Sequence, residues 1–261
     1  MTAAPEVPES AVLVERSGAV QIVTINRPHV RNAIDRATAV AIAAAMDELD
    51  SRDDLAAGVL TGAGTAFCAG MDLKAFLAGE RPSTPERGFG GLVEKPPAKP
   101  LIAAVNGPAI AGGFELVLAC DLVVAADDAV FGLPEVKRGL VAAAGGLLRL
   151  PRRIPYHLAL EWALTGDYVP ARRAYEVSLV NRIVPRADVL SEAIALATAI
   201  AANSPLALRA TKRTIVESAG WGAAEAFDRQ REISEPVRAS EDAREGARAF
   251  KEKRAPVWKG R

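Results

Sequence analysis

Cysteine, charge of one sign and long hydrophobic runs are what this sequence has least of. Two cysteines in 261 residues, Cys68 and Cys120, are too few for a disulfide framework, and both lie among apolar neighbours, so they read as buried thiols. Lysine plus arginine exactly balance aspartate plus glutamate at 32 each, with no basic block. That leaves no electrostatic footprint for nucleic acid or an anionic membrane surface, and a phosphate-bearing partner must be held locally. The apolar stretches fall well short of a membrane span. The first ten residues, MTAAPEVPES, place acids and prolines where a secretory signal needs basic residues and an apolar run, so a cytoplasmic protein is expected. No histidine or cysteine sits at ligand spacing beside Asp53-Asp54 or Asp127-Asp128, which read as turn and cap residues, and no metal site is expected. No G-x-G-x-x-G opens a βαβ unit, which removes the usual dinucleotide signature. His157, ahead of an apolar helix, reads as a packing or surface residue.

What is present is an ordinary globular composition, half hydrophobic and a quarter charged, with enough chain for a large core. Residues 11–25 cluster β-branched side chains around Ser17-Gly18 and predict a hairpin. Helical spacing from Asp35 to Leu49 predicts a helix with Asp35 as its N-cap. AAGVLTG, LIAAVNG, DLVVAAD and AVFGL read as buried strands, and paired glycines after the second of them open a helix. Residues 79–99, with Pro, Gly and charge but no period, read as a loop or weakly ordered lid. From about Leu147 the pattern turns helical, at 156–165, 187–203, 205–219, 223–234 and 239–250, with NRIVP at 181–185 as one strand candidate. Strand, helix, strand in succession predicts an α/β core with a helical tail.

Two turns stand out. TGAGTAFCAGMD and NGPAIAGGFE each follow a strand with small residues, which lets backbone N–H groups approach a ligand closely. The second also begins a helix, where unpaired N–H groups and the dipole favour negative charge. Facing one another, they would make an oxyanion hole. Such a hole moves no protons, and two carboxylates are available for that work. Glu115 follows the glycine pair and runs into Leu-Val-Leu-Ala-Cys, where an ionised side chain is costly. Glu135 follows Pro134, which presets the first turn of a short helix.

INRPHVRNAI, LTGAGTAFCAGMDL, the block from Lys99 to Leu140, GGLLRL and EGARAFKEKR stand in the order and spacing of the enoyl-CoA hydratase/isomerase, or crotonase, family, which the chain resembles over nearly its whole length. GFEL, FGLPE, GGLLRLP and the final PVWKGR further resemble carnitinyl-CoA dehydratase. The resemblance implies a crotonase-like ββα spiral core over residues 1–200 and a C-terminal helical trimerisation region over 201–261, assembled as a homotrimer or a dimer of trimers. It implies an oxyanion hole from the N–H groups of Met71 and Gly112, with Ala111 in place of the first glycine of the usual triplet. It implies that Glu115 and Glu135 together activate water for addition to a 2-enoyl-CoA thioester, the retained pair favouring hydration over isomerisation. It places coenzyme A, part of the substrate and not a separate cofactor, against Ala69, Gly70, Met71, Asp72, Leu73 and Lys74, with Gly112 at the thioester and His29, Arg31 and Lys253 near its phosphates. One departure is expected to matter. Where the family reads P-G-A-G-G-T-Q-R-L, this chain has Val141-Ala142-Ala143-Ala144-Gly145-Gly146-Leu147-Leu148-Arg149-Leu150, with Leu-Leu for Thr-Gln, which implies an altered acyl pocket. The rival readings are an isomerase, a dehydratase of a specialised acyl-CoA, and an inactive acyl-CoA-binding protein.

Overall fold

In the computed structural model, which describes residues 10–261, the strands are β1 (Val12–Ser17), β2 (Val20–Ile25), β3 (Ala57–Gly62), β4 (Ser83–Thr84), β5 (Gly88–Phe89), β6 (Leu101–Val105), β7 (Ala109–Ile110), β8 (Leu122–Ala126), β9 (Val130–Gly132), β10 (Val169–Pro170) and β11 (Arg182–Val184). The helices are α1 (Arg36–Ser51), α2 (Leu73–Leu77), α3 (Gly112–Ala119), α4 (Gly146–Arg149), α5 (Tyr156–Thr165), α6 (Ala171–Glu176), α7 (Val189–Ala201), α8 (Pro205–Ser218), α9 (Ala226–Arg238) and α10 (Glu241–Glu252). The main sheet has six strands in the order β1-β2-β3-β6-β8-β11. Its β1–β2 hairpin is antiparallel and every later neighbour is parallel. A smaller sheet, β10-β9-β7, stands beside it and carries the second glycine turn.

The local reasons are those the sequence offers. Asp35 caps α1 by accepting from the Thr38 N–H at 2.8 Å. Strands β3 and β6 are buried along their whole length, as parallel strands covered on both faces must be. Helix α7 packs across β3, β6 and β8 and buries Val189, Ala193 and Ala197. Cys68 and Cys120 are buried free thiols, each pushed up to about 12 by loss of solvation.

The segment 79–99 departs from expectation. Beyond its first residues it is no weakly ordered lid but a packed element. The Arg87 guanidinium, 3% exposed, donates to Asp47 Oδ1 from Nη2 at 2.6 Å and from Nε at 3.1 Å. Gly91 lies so close to α1 that a Cβ would stand 2.0 Å from the Ala39 carbonyl oxygen. Periodicity is a poor guide here because a buried arginine, close-packed glycines and two adjacent core residues, Leu92 and Val93, dock the chain in place of a periodic apolar stripe.

The tail is tied down differently. Asp242, buried at the start of α10, accepts from Ser204 Oγ at 2.8 Å and from the Lys259 N–H at 2.7 Å. Trp258 Nε1 donates to the Ala202 carbonyl at 2.7 Å. The final residues thus staple the α7–α8 junction to α10. Among the described residues no single helix is long and apolar enough to cross a membrane.

Candidate active site

Two strand ends bring the glycine turns together. The first turn is threaded into the fold by an isolated bridge between Cys68 and Ala109 and another between Ile34 and Met71. Gly70 has φ of +95°, a conformation open to glycine, and a Cβ there would lie 3.2 Å from the Gly112 nitrogen. The Met71 and Gly112 amides are therefore neighbours. Among the described residues neither donates to a protein acceptor; Gly112 opens α3, where the first N–H groups have no intrahelical partner. Ala111, with φ of +53°, turns the chain into α3, its own N–H held by the Gly132 carbonyl at 2.8 Å. Of the two glycines that follow, Gly113 is demanded by contact with backbone, and Gly112 faces the tip of the Phe89 ring. A Cβ on Gly113 would meet the Cys68 carbonyl oxygen at 2.1 Å, and one on Gly112 would meet Phe89 Cζ at 2.4 Å.

Glu115 sits in the first turn of α3, 3% exposed. Its Oε1 accepts from the Ala144 N–H at 2.8 Å and the Gly146 N–H at 2.9 Å. Both contacts are made by backbone N–H groups, and neither comes from Ala143, where alanine stands for a family glycine. Burial pushes the Glu115 carboxyl above its ordinary range, opposed by those two N–H groups and by the Arg149 charge. Glu135 lies in the first turn of a 3₁₀ segment, Pro134–Arg138, as Pro134 predicts. It too is raised, first by burial, while its own backbone N–H opposes and the Glu115 charge adds to the rise. Its Oε2 is buried with no hydrogen-bond partner. A carboxyl oxygen left without a partner in a cavity wall is free to exchange a hydrogen bond or a proton with a ligand.

A cavity of about 560 Å³ joins these parts. Its wall includes Met71, Gly112, Glu115, Glu135, Ala143 and Ala144, together with the apolar side chains of Leu73, Phe76 and Phe89. Ala69 contributes to the wall, whereas His29, Arg31, Asp72, Lys74 and Lys253 do not. The Asp72 carboxylate caps α2 and pairs with Arg27 at 3.1 Å. Burial alone would raise it, but the Ala75 and Lys74 N–H groups and Arg27 outweigh that and lower it. His29 and Arg31 are exposed on the turn that precedes α1, with the Arg31 carbonyl accepting from the Ala69 N–H at 3.0 Å. Lys253 is exposed at the end of α10 in the left-handed conformation. Sequence reading missed Phe89, which belongs to the misread 79–99 segment, and the role of Arg149, whose charge reaches Glu115.

The family model described as enoyl-CoA hydratase/isomerase matches residues 15–261. The chain belongs to this family. It is 44% identical over 258 residues to the enoyl-CoA hydratase EchA19 of Mycobacterium tuberculosis, covering 95% of this chain and 96% of that one. It is 42% identical over 256 residues to a carnitinyl-CoA dehydratase of Salmonella typhi, at 94% and 97% coverage. The solved structure of enoyl-CoA hydratase EchA1 from Mycobacterium marinum matches with a TM-score of 0.95 and 56% identity, over 97% of this chain and 100% of that one. The fold is accordingly the crotonase fold, its parallel core and C-terminal helices as expected from the sequence.

Proposed function

We propose that this enzyme adds water reversibly across the 2,3 double bond of a 2-enoyl-CoA thioester. The observation that carries the reading is the meeting of two unengaged N–H groups, Met71 and Gly112, with the buried Glu115 and the half-buried Glu135, whose Oε2 is itself buried, in one cavity wall. The thioester oxygen accepts from the two amides. As water oxygen bonds to C3, the π electrons move toward C2 and the carbonyl, and the negative charge that grows on the thioester oxygen is stabilised by donors already aimed at it. One such donor is typically worth roughly 3–4 kcal/mol of the barrier.

The carboxylates divide the proton work. Glu115 is held by two N–H donors and an arginine charge, which sustain its anion, so it accepts the proton that leaves water. Glu135 lies under the added push of the Glu115 charge, so the pair's proton rests there and passes to C2. Bonds balance: O–C3 and H–C2 form, O–H and the C2–C3 π bond break, and solvent returns the pair to its starting state. Dehydration of a 3-hydroxyacyl-CoA is the same path reversed.

His29, Arg31, Lys74 and, from a neighbouring copy, Lys253 serve the phosphates of coenzyme A as cationic donors in this reading. Asp72 shapes the adenine-side turn through its cap on α2 and not by direct contact. No resident cofactor is required for the steps above. The working assembly is a homotrimer or dimer of trimers, in keeping with the apolar side chains left exposed on the tail helices, and the working compartment is the cytoplasm. The test is product identity in ¹⁸O-labelled water with crotonyl-CoA. A 3-hydroxyacyl-CoA bearing the label at C3 supports hydration; a 3-enoyl product without label makes the enzyme an isomerase.

A further inference from the structure

Glu115 is held by the turn that leads into α4, and α4, which reads Gly-Leu-Leu-Arg, offers a single polar side chain, Arg149. Arg149 Nη2 donates to the Val93 carbonyl at 2.5 Å, in the segment that also lays Phe89 over Gly112. The guanidinium lies at the same time against Gly145, where a Cβ would stand 2.2 Å from Nη1. Gly145, with φ of +93°, is the residue between Ala144 and Gly146, whose N–H groups both donate to Glu115 Oε1. A guanidinium bonded to one segment and pressed on the middle of that turn holds the two together. The charges around Glu115 are uneven. Its own helix α3 and the strand β7 packed on it carry no other carboxylate or cation. Glu135 shares its cavity wall and repels its anion. Glu80, Arg81, Glu94 and Arg138 also line that cavity, but at exposed positions where water screens them. Arg149 is the cation whose attraction reaches Glu115, and its own charge is opposed by burial and by Arg153 and favoured by Glu115.

We propose that Arg149 is a positioning residue for the hydration step: it clamps the Ala144–Gly146 turn to Val93 and supplies the positive charge that keeps Glu115 ionised until the reacting water gives up its proton. A carboxylate as deeply buried as Glu115 reverts to the neutral acid unless hydrogen bonds and a counter-charge hold it, and a neutral acid cannot take that proton. Leu147 and Leu148, where the family pattern has Thr-Gln, bring neither hydroxyl nor amide to share the work, so it falls to the two N–H groups and to Arg149. Arg149 acts through Glu115 and not on the substrate, since it does not line the reaction cavity. The step it serves rests on the hydratase reading; its hold on Glu115 is measurable without turnover.

The experiment compares the wild type with Arg149→Gln, which removes the charge but keeps a donor for the Val93 carbonyl, and with Arg149→Lys, which keeps the charge. Two readouts are taken from about pH 4 to 10. One is kcat and KM for crotonyl-CoA; the other is the infrared band of protonated carboxyls, in which the share of Glu115 is identified by its loss in Glu115→Gln. In Arg149→Gln the acid limb of kcat/KM and the Glu115 infrared midpoint are both expected to rise by at least about 0.5 pH unit. KM above the limb stays within about threefold of the wild type. Arg149→Lys returns both midpoints to within about 0.2 unit of the wild type. Loss of packing alone would lower kcat at every pH and leave the limb in place. Melting temperatures show which variants are folded, and Arg149→Met, neutral and of similar length, replaces Arg149→Gln if that variant is not. Midpoints unmoved in the neutral variant, or moved as far in Arg149→Lys, overturn the assignment. If the infrared midpoints behave as expected but the wild type never hydrates crotonyl-CoA, the hydratase reading falls and the hold of Arg149 on Glu115 stands.

Discussion

Glu115 and Glu135 show how far single residues were legible. Their positions after a glycine pair and after a proline were visible in the sequence, and so was the cost of an ionised side chain running into Leu-Val-Leu-Ala-Cys. What the sequence did not show is that Oε1 of Glu115 is satisfied by the Ala144 and Gly146 amides, because backbone donors carry no residue signature. The same blindness hid Phe89 over Gly112. Since both carboxyls are raised by burial, the pH profile of kcat/KM is expected to be bell-shaped, with its acid limb above the ordinary glutamate range as Glu115 must be ionised, and its alkaline limb set by loss of the Glu135 proton. A stopped-assay pH series from 4 to 10 checks it; a flat profile through that range contradicts the division of roles. Linkage gives a second expectation. A carboxyl whose folded-state value is raised disfavours its own ionisation in the native state, so its stability contribution is full at low pH and is lost as pH rises through the raised value. Glu135→Gln, which never ionises, is therefore expected to melt at or above the wild-type temperature at neutral pH, the difference closing in acid. Calorimetric scans at the two pH values measure it; a lower melting temperature at neutral pH only would be the opposite sign.

At the scale of elements, the hairpin, α1 and the tail helices were readable because each carries its own period or cap, and α5 matches the expected 156–165. Short elements were not. Helices α2, α4 and α6 and strands β4, β5, β7 and β10 are too brief to show a period, and they are fixed by tertiary contacts such as the Cys68–Ala109 bridge. The 79–99 segment is the sharpest case, since Arg87 and Gly91 dock it on α1 through polar and steric contacts. Arg87→Ala is expected to raise amide hydrogen exchange across 87–94, while leaving β3 and β6 protected; exchange unchanged from the wild type would mean the segment is held otherwise. Gly113→Ala tests the glycine turn. With the Cys68 carbonyl oxygen 2.1 Å from the added methyl, the turn must shift, at a cost of at least about 1–3 kcal/mol in unfolding free energy. Gly139→Ala, at a position with open space but φ of +66°, is the control and should cost about 1 kcal/mol.

At the scale of the whole molecule, the core buries its apolar side chains and the tail helices leave many of theirs exposed. Helix α8 buries no side chain fully and α9 buries one, Ile233, while Phe227 is 72% and Phe250 88% exposed. Within the chain, α8 is tied to the core by Lys212, which donates to Asp121 at 2.6 Å and to the Lys99 carbonyl at 2.9 Å, and the tie of Asp242 to Ser204 and Lys259 links α8 to α10. Sequence reading found the amphipathic tail but not this staple, because Asp242 and Ser204 are 38 residues apart. Phe227→Asp with Phe250→Asp is expected to lower the mass seen by light scattering and shift half-maximal activity to higher protein concentration, since each buried phenylalanine is worth roughly 1.5–3 kcal/mol. An assembly indifferent to both changes would place the interface elsewhere.

The central claim is that two carboxylates and two backbone amides add water to a conjugated thioester. It is tested most directly by the absorbance of crotonyl-CoA and a longer 2-enoyl-CoA with wild type, Glu115→Gln and Glu135→Gln. The expected result is loss of the conjugated-thioester band with the wild type and a fall of about 10²–10⁴ in kcat for each variant, with ligand affinity retained. Full activity in either variant, or a silent wild type that binds both thioesters, would contradict it.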